Sequence, residues 1–150
     1  MIGVYKYDER AKIPTRNTPG DAGLDLFAME DVFIPLGTTV KIDLGLAIEI
    51  PPSCVGKIED RSSLGAKGLK VSGGVVDAGY TGRLSVILNN LTFNQHDGWV
   101  YDKLQPGYQI KAGDRIAQLL IYKVENYQPC QVISLWDSER GDKGFGSSGR

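Results

Sequence analysis

Thr38-Thr39-Val40-Lys41-Ile42-Asp43-Leu44-Gly45-Leu46-Ala47-Ile48-Glu49-Ile50 decides the fold class. Every even position from Val40 to Ile50 is aliphatic, while the odd positions carry Thr39, Lys41, Asp43, Gly45, Ala47 and Glu49. Side chains of an extended chain alternate between two faces, so this period of two predicts strand with one face buried. Gly45 in its middle predicts a bulge or bend. Pro51-Pro52 ends the run, because proline cannot donate to a ladder.

Working outward, the same pattern recurs in shorter pieces. Leu84, Val86 and Leu88 alternate with Arg83 and Ser85, and Asn89-Asn90 follows. Apolar runs lie at 24–28, 32–34, 55–58 and 131–135. Gly or Pro interrupts most windows before a helix could complete three turns. The one serious helix candidate is 114–128, where Ile116, Leu119, Leu120 and Val124 fit helical spacing. Yet 116–124 is apolar on both faces and Ile121-Tyr122 favour strand, so periodicity alone leaves that segment open. Many short strands at about 8–12-residue spacing predict an all-β sandwich or barrel. No internal repeat or linker divides the chain.

Composition fits that picture. The chain has 150 residues with 19 glycines, roughly twice the usual glycine share of about 7%. Turns, bulges and backbone–ligand contacts therefore dominate over long helices. Lys+Arg is 17 and Asp+Glu is 18, a net charge of −1, which excludes bulk nucleic-acid binding through positive charge. Cys54 and Cys130 are too few for a cysteine zinc site or a disulfide framework. The single histidine, His96, excludes a two-histidine metal motif within one chain. The start, Met1-Ile2-Gly3-Val4-Tyr5-Lys6-Tyr7-Asp8, has no apolar h-region, and no apolar run approaches a membrane span. The expectation is a soluble, cytoplasmic protein without a membrane association.

Two phosphate-binding patterns bear on function. There is no G-x-x-x-x-G-K-[ST]. Gly144-Phe145-Gly146-Ser147-Ser148-Gly149 matches G-x-G-x-x-G, but the dinucleotide reading needs a helix after it and only one residue follows. What remains is a segment rich in amide and hydroxyl donors, with Arg140, Lys143 and Arg150 beside it, suited to gripping a polyanion. Phe145 is an aromatic placed to stack on a flat ring. Asp60-Arg61-Ser62-Ser63-Leu64-Gly65 offers a guanidinium and two hydroxyls after a strand. The glycine-rich stretch 73–82 leads into the 83–89 strand, and Asp77 within it is either a turn-forming residue or a functional carboxylate.

Five segments, in order, resemble the five motifs of the homotrimeric dUTPase family: Ala22-Gly23-Leu24-Asp25-Leu26; Arg61-Ser62-Ser63-Leu64-Gly65; residues 74–82; Gly113-Asp114-Arg115-Ile116-Ala117-Gln118-Leu119; and Arg140-Gly141-Asp142-Lys143-Gly144-Phe145-Gly146-Ser147-Ser148-Gly149. The resemblance implies a jelly-roll-like β-barrel over 1–139 and a flexible active-site lid over 140–150. It implies a homotrimer with sites at subunit interfaces, dUTP as substrate, Mg²⁺ as cofactor, and hydrolysis to dUMP and pyrophosphate. Such an activity keeps uracil out of DNA and supplies dUMP for thymidylate synthesis.

Roles carry over residue by residue. Asp77 is similar to the general base aimed at the α-phosphorus. Gly74, Val75, Val76 and Asp77 resemble the hairpin that reads uracil, and Tyr80 the platform under deoxyribose. Arg61, Ser62, Ser63 and Gln118 would hold phosphates, and Asp25 would organise Mg²⁺ through water. Arg140 would grip the γ-phosphate, Phe145 would cap uracil, and Gly146, Ser147 and Ser148 would complete the lid.

The motifs also depart from the family pattern. Leu24 stands where Tyr is common, Glu59-Asp60 where Ala-Pro is, and Gly79 where Asp is. An extra carboxylate at Asp60 threatens the charge at Arg61. Residues 91–107 are longer than the family's compact link and read as an extended hairpin bearing Trp99 and Tyr101, either a surface extension or an arm for a protein partner. Details of 59–62, 77–80 and 141–144 look most like enzymes of Gram-positive bacteria and their phages. The alternatives are a dCTP deaminase-like enzyme, for which 83–90 lacks the needed glutamate, and a dUTPase-fold protein with an added partner-binding role.

Overall fold

In the computed structural model, which describes residues 1–92, 99–102, 105–139 and 141–142, the period-two run folds as two strands. In chain order the elements are β1 (Val4–Lys6), β2 (Leu24–Phe27), β3 (Val32–Pro35), β4 (Thr39–Asp43), β5 (Leu46–Ile48), β6 (Cys54–Glu59) and the one-turn helix α1 (Ser62–Gly65). Then come β7 (Leu69–Ser72), β8 (Val75–Asp77), β9 (Ser85–Asn90), β10 (Trp99–Asp102), β11 (Gln105–Ile110) and β12 (Arg115–Lys123). Among the described residues the sheets run β1-β5, β10-β11-β3, β2-β12-β6-β8 and β4-β9-β7, with every pairing antiparallel. The all-β expectation holds.

Gly45 explains why one sequence pattern makes two strands. It sits at φ +68°, a region open to glycine and costly for other residues. An added Cβ would also lie 2.6 Å from Met29 Sδ. The bend hands the chain from β9, which pairs with β4, to β1, which pairs with β5. Its carbonyl accepts the Tyr7 and Asp8 amides at 2.8 and 3.2 Å. Ile42, Leu44, Leu46, Ile48 and Ile50 are all buried, so the inward face survives the exchange of partners. Ala47 is buried too, because β5 is covered on both sides.

Within the open segment 114–128, residues Arg115–Lys123 form strand and 124–128 form no regular element. β12 is central, bonded to β2 on one side and β6 on the other. Ile116, Ala117 and Leu119 are buried while Leu120 and Ile121 are half-buried and Tyr122 is exposed, so apolar residues stand on both faces of β12 and imitate a buried helix in sequence. Asn90 is fully buried and its amide is used: Nδ2 donates to Ile34 O at 2.9 Å, and Oδ1 accepts from Thr92 N–H and hydroxyl. A buried amide left unbonded would cost about 1–3 kcal/mol.

The 131–135 run does not join a sheet. Val132, Ile133, Leu135 and Trp136 are exposed, Ile133 and Trp136 fully. Pro129 cannot donate to a ladder, and these side chains meet no apolar face among the described residues of their own chain. The backbone of Trp99 and Tyr101 lies in β10, antiparallel to β11, and β11 continues onto β3. The rest of the 91–107 reading falls partly on residues 93–98 and 103–104, outside the described residues. No helix among the described residues is long and apolar enough to cross a membrane.

Carboxylates tie the loops and set an acid limit. Hydrogen bonds from Arg10 hold Asp8 at about 2, below its ordinary 3.8. Thr18 lowers Asp21 and Lys111 lowers Asp31. Burial pushes Asp43 up, but bonds from the Gly45 amide and Arg83 outweigh it and the carboxyl ends below its ordinary value. Groups depressed in the folded state bind fewer protons there than when unfolded. Their stabilisation is therefore complete above the ordinary value and lost as pH falls through the folded values. The urea midpoint is expected to fall between about pH 4 and pH 2, and to fall less in Asp43→Asn. A midpoint that rises over that window would contradict these pairings.

Candidate active site

The end of β6 and the middle of β12 build a polar cavity. β12 sets Gln118 opposite Glu59 on one side and Asp25 on the other. Beyond Glu59 the chain turns through Asp60 and Arg61 into α1. Arg61 Nε donates to Asp25 Oδ1 at 3.0 Å, and Arg115 Nη1 to Asp25 Oδ2 at 3.3 Å. Arg61 Nη1 also donates to the Arg115 carbonyl at 3.2 Å. Asp25, its side chain 14% exposed, thus clamps two guanidinium groups side by side. They line a cavity of about 320 Å³ with Asp21, Ser62 and Gln118. Ser63 instead faces a neighbouring cavity of about 250 Å³ that shares Arg61 and Arg115.

Arg115 is the site residue that the sequence reading passed over. In a regular strand, positions 115 and 118 point to opposite faces. A register shift between Arg115 and Ala117 puts an extra residue into β12, and both side chains reach the same cavity. Consecutive burial of Ile116 and Ala117 marks the same irregularity. Its only sequence signal is membership of the fourth motif.

Gln118 is oriented by its surroundings. Its Nε2 donates to Asp60 O at 2.7 Å. A Cβ at Gly23 would lie 2.6 Å from Gln118 Oε1, so glycine there leaves room for the amide. The extra carboxylate at Asp60 does not compete for Arg61. It accepts Val71 N–H at 2.6 Å and pairs with Lys70, whose own pKa is raised by that bond.

The second group of predicted residues surrounds β8. Gly73 has φ +60°, and a Cβ on Gly74 would lie 2.2 Å from Ile58 O. Only glycine lets the backbone close onto β6, where Gly74 O accepts Ile58 N–H at 2.7 Å. Val76 is buried and anchors β8, while Val75 and Asp77 point outward. Asp77 O accepts the Tyr80 amide at 3.0 Å, closing a turn with the carboxylate at one end and the aromatic ring at the other. No hydrogen bond or ion pair among the described residues engages the Asp77 carboxylate. Gly79 faces open space, so its departure from the motif disturbs no packing.

One chain does not bring these groups together. Asp77 pairs with Val55, and Gln118 with Glu59 at the far end of the same strand. Val55 and Glu59 are four residues apart, about 13 Å along β6, and β8 and β12 stand two strand spacings (about 10 Å) apart, giving roughly 16 Å in all. Arg140, Phe145, Gly146, Ser147 and Ser148 lie outside the described residues.

The donor set fits a hydrated divalent cation brought with a phosphate chain. Two carboxylates, Asp21 and Asp25, line the same cavity as two guanidiniums, and Mg²⁺ characteristically keeps waters and takes one or two carboxylates plus phosphate oxygens. Three or more acidic, histidine or cysteine ligands cluster nowhere among the described residues, so an all-protein cage does not fit.

The chain is thus all-β, with a guanidinium–amide cavity and a glycine-built turn that presents a carboxylate without a partner among the described residues. The dUTPase family model matches residues 9–149, and the chain belongs to the dUTPase family. It is 40% identical to the deoxyuridine 5'-triphosphate nucleotidohydrolase of Monkeypox virus, over 99% of this chain and 90% of that one. The corresponding protein of Vaccinia virus (strain Copenhagen) is also 40% identical, over 99% and 92%. Among solved structures, a mutant dUTPase of Staphylococcus bacteriophage 80alpha with dUpNHpp superposes with a TM-score of 0.86 at 31% identity, covering 100% of this chain and 99% of that one. A mutant dUTPase from phage phi11 of S. aureus, described for coordination of a structural Mg(II) ion, gives 0.78 at 30% identity, over 89% and 97%. The jelly-roll-like fold class follows from these likenesses.

Proposed function

We propose that this chain hydrolyses dUTP to dUMP and pyrophosphate at sites shared between neighbouring copies in a trimer. The free Asp77 carboxylate on a turn and the Asp25-organised guanidinium pair at the opposite end of β6 carry this reading. In the reaction, Asp77 takes a proton from water as the water oxygen bonds to the α-phosphorus. The bond from that phosphorus to the bridging oxygen breaks in line, and pyrophosphate leaves with the electron pair. Arg61, Ser62 and Gln118 bind and orient the phosphate chain, with Ser63 beside them and Arg115 holding Asp25 in place. Such positioning and charge neutralisation supply most of the catalysis in phosphoryl transfer. Asp21 and Asp25 would hold Mg²⁺ through water, and the ion when bound neutralises phosphate charge.

Gly74, Val75 and Val76 present backbone groups to uracil, and Tyr80 lies under the sugar. Arg140, Phe145, Gly146, Ser147 and Ser148 close over the bound nucleotide as a lid. A general base works within about 3 Å of its proton, so Asp77 must stand beside the phosphate chain that Arg61 and Gln118 hold, and roughly 16 Å lies between these groups within one chain. Pairing Asp77 of one chain with Arg61 of the next removes the gap. The exposed Val132, Ile133, Leu135 and Trp136 support association, since burying each side chain of that size is worth about 1.5–3 kcal/mol.

A pyrophosphate-release assay with dUTP, dCTP, dTTP and UTP tests the activity. Turnover of dUTP is expected to exceed that of each other nucleotide by about 10² or more. Equal turnover of dTTP or UTP, or ammonia release from dCTP, would overturn it.

A further inference from the structure

We infer that Tyr7 and Arg83 are positioning residues that seat the Tyr80 ring and thereby set discrimination between deoxyribose and ribose; the inference rests on Tyr80 lying under the sugar. The Tyr80 hydroxyl donates to Arg83 O at 2.9 Å. Its ring lies across Gly82, where an added Cβ would be 2.6 Å from the hydroxyl oxygen and 2.7 Å from Cζ. The ring is therefore as well placed as the 81–83 backbone beneath it.

That backbone is held from outside the turn. The Arg83 guanidinium bonds Asp43 Oδ2 at 2.8 Å and stacks 5.0 Å from the centre of the Tyr7 ring. Asp43 Oδ1 in turn accepts the Gly45 amide at 2.8 Å. The Tyr7 amide donates to Gly45 O at 2.8 Å, and its hydroxyl reaches Thr81 O at 3.2 Å. Tyr5 meets the Tyr7 ring edge-on at 4.9 Å and 79°. A closed circuit thus runs from Gly45 through Asp43, Arg83 and Tyr7 back to Gly45. On either side of Gly82 it holds the Thr81 carbonyl through the Tyr7 hydroxyl and residue 83 through its guanidinium. The bend that splits the period-two run is also the anchor of the sugar-facing turn.

A loosened seat lets the ring retreat and admits a 2′-hydroxyl, which a merely weakened fold would not do. The ratio of kcat/KM for dUTP to that for UTP reads this directly, because loss of active protein cancels from the ratio. In the full chain, Tyr7→Ala and Arg83→Ala are expected to lower the ratio about tenfold, in line with the cost of small misplacements in a positioned site. Tyr7→Phe, which keeps the stacked ring, and Arg83→Lys, which keeps the Asp43 pair, should lower it less and remain folded. A ratio unchanged in all four variants while Tyr80→Ala collapses it would overturn the inference alone. An unchanged ratio in Tyr80→Ala would overturn the sugar platform and this inference with it, leaving dUTP hydrolysis itself standing.

Discussion

Asp77→Asn is expected to lower kcat by about 10²–10⁴-fold, the usual worth of a general base, with KM for dUTP changed far less. Asparagine keeps the size and planarity of the carboxylate but cannot accept the proton at neutral pH. The fold has no stake in that charge. β8 is held by backbone pairing to β6 and by the buried Val76, and the Asp77 side chain is exposed. The variant should therefore melt within about 0.5 kcal/mol of the parent, as exposed substitutions generally do. Calorimetry, single-turnover hydrolysis and binding of a non-hydrolysable analogue separate the three quantities. A folded Asp77→Asn protein with near-parental kcat would remove Asp77 from the reaction.

How much of this was legible from residues alone depends on what alternation can encode. The period-two run named the buried face of 40–50, and each aliphatic position from Ile42 to Ile50 is inside. It could not name the partner strands, because a face does not specify a neighbour. The pairings of β4 with β9 and of β5 with β1 show that the run changes sheets at Gly45, where φ is positive. The 114–128 ambiguity had a physical origin, since β12 carries apolar residues on its half-exposed face as well as on its buried one and so loses its alternation. Val132, Ile133 and Leu135 look like core in sequence and stand in solvent, because apolarity reports a need for burial and not which chain satisfies it.

The site shows the same division. Motif order placed Asp25, Arg61, Gln118 and Asp77 in one reaction, but the resemblance carried that step. Sequence spacing did not reveal that Asp25 lies between two guanidiniums, nor that a bulge turns Arg115 toward Gln118. It also suggested a threat from Asp60 that Lys70 and the Val71 amide neutralise. Asp43 and Tyr7 carried no motif, and their link to the turn that holds Tyr80 emerges only from three-dimensional contacts.

The second large effect concerns the sharing of sites between chains. Arg61→Ala takes one guanidinium from the cavity it shares with Gln118 and one bond from Asp25, while Arg115 still holds the other carboxylate oxygen. Loss of a preorganised donor of this kind costs about 10²–10³ in kcat, so this variant is expected to be nearly inactive, like Asp77→Asn. Breaking a partly buried ion pair also carries a stability cost of up to about 3–5 kcal/mol, lessened here by Arg115, so the melting temperature must be followed alongside. Each parent fails at a different end of β6.

Co-refolding equal amounts of Asp77→Asn and Arg61→Ala chains, then assaying verified mixed trimers, tests the shared-site account most directly. In a ring where each site takes Asp77 from one chain and Arg61 from its neighbour, every mixed trimer, whichever chain is doubled, has about one site in three with both groups intact. The predicted result is therefore about a third of parental activity recovered from two nearly inactive proteins. Mixed trimers no more active than either parent would place Asp77 and Arg61 of each site in one chain and contradict the account.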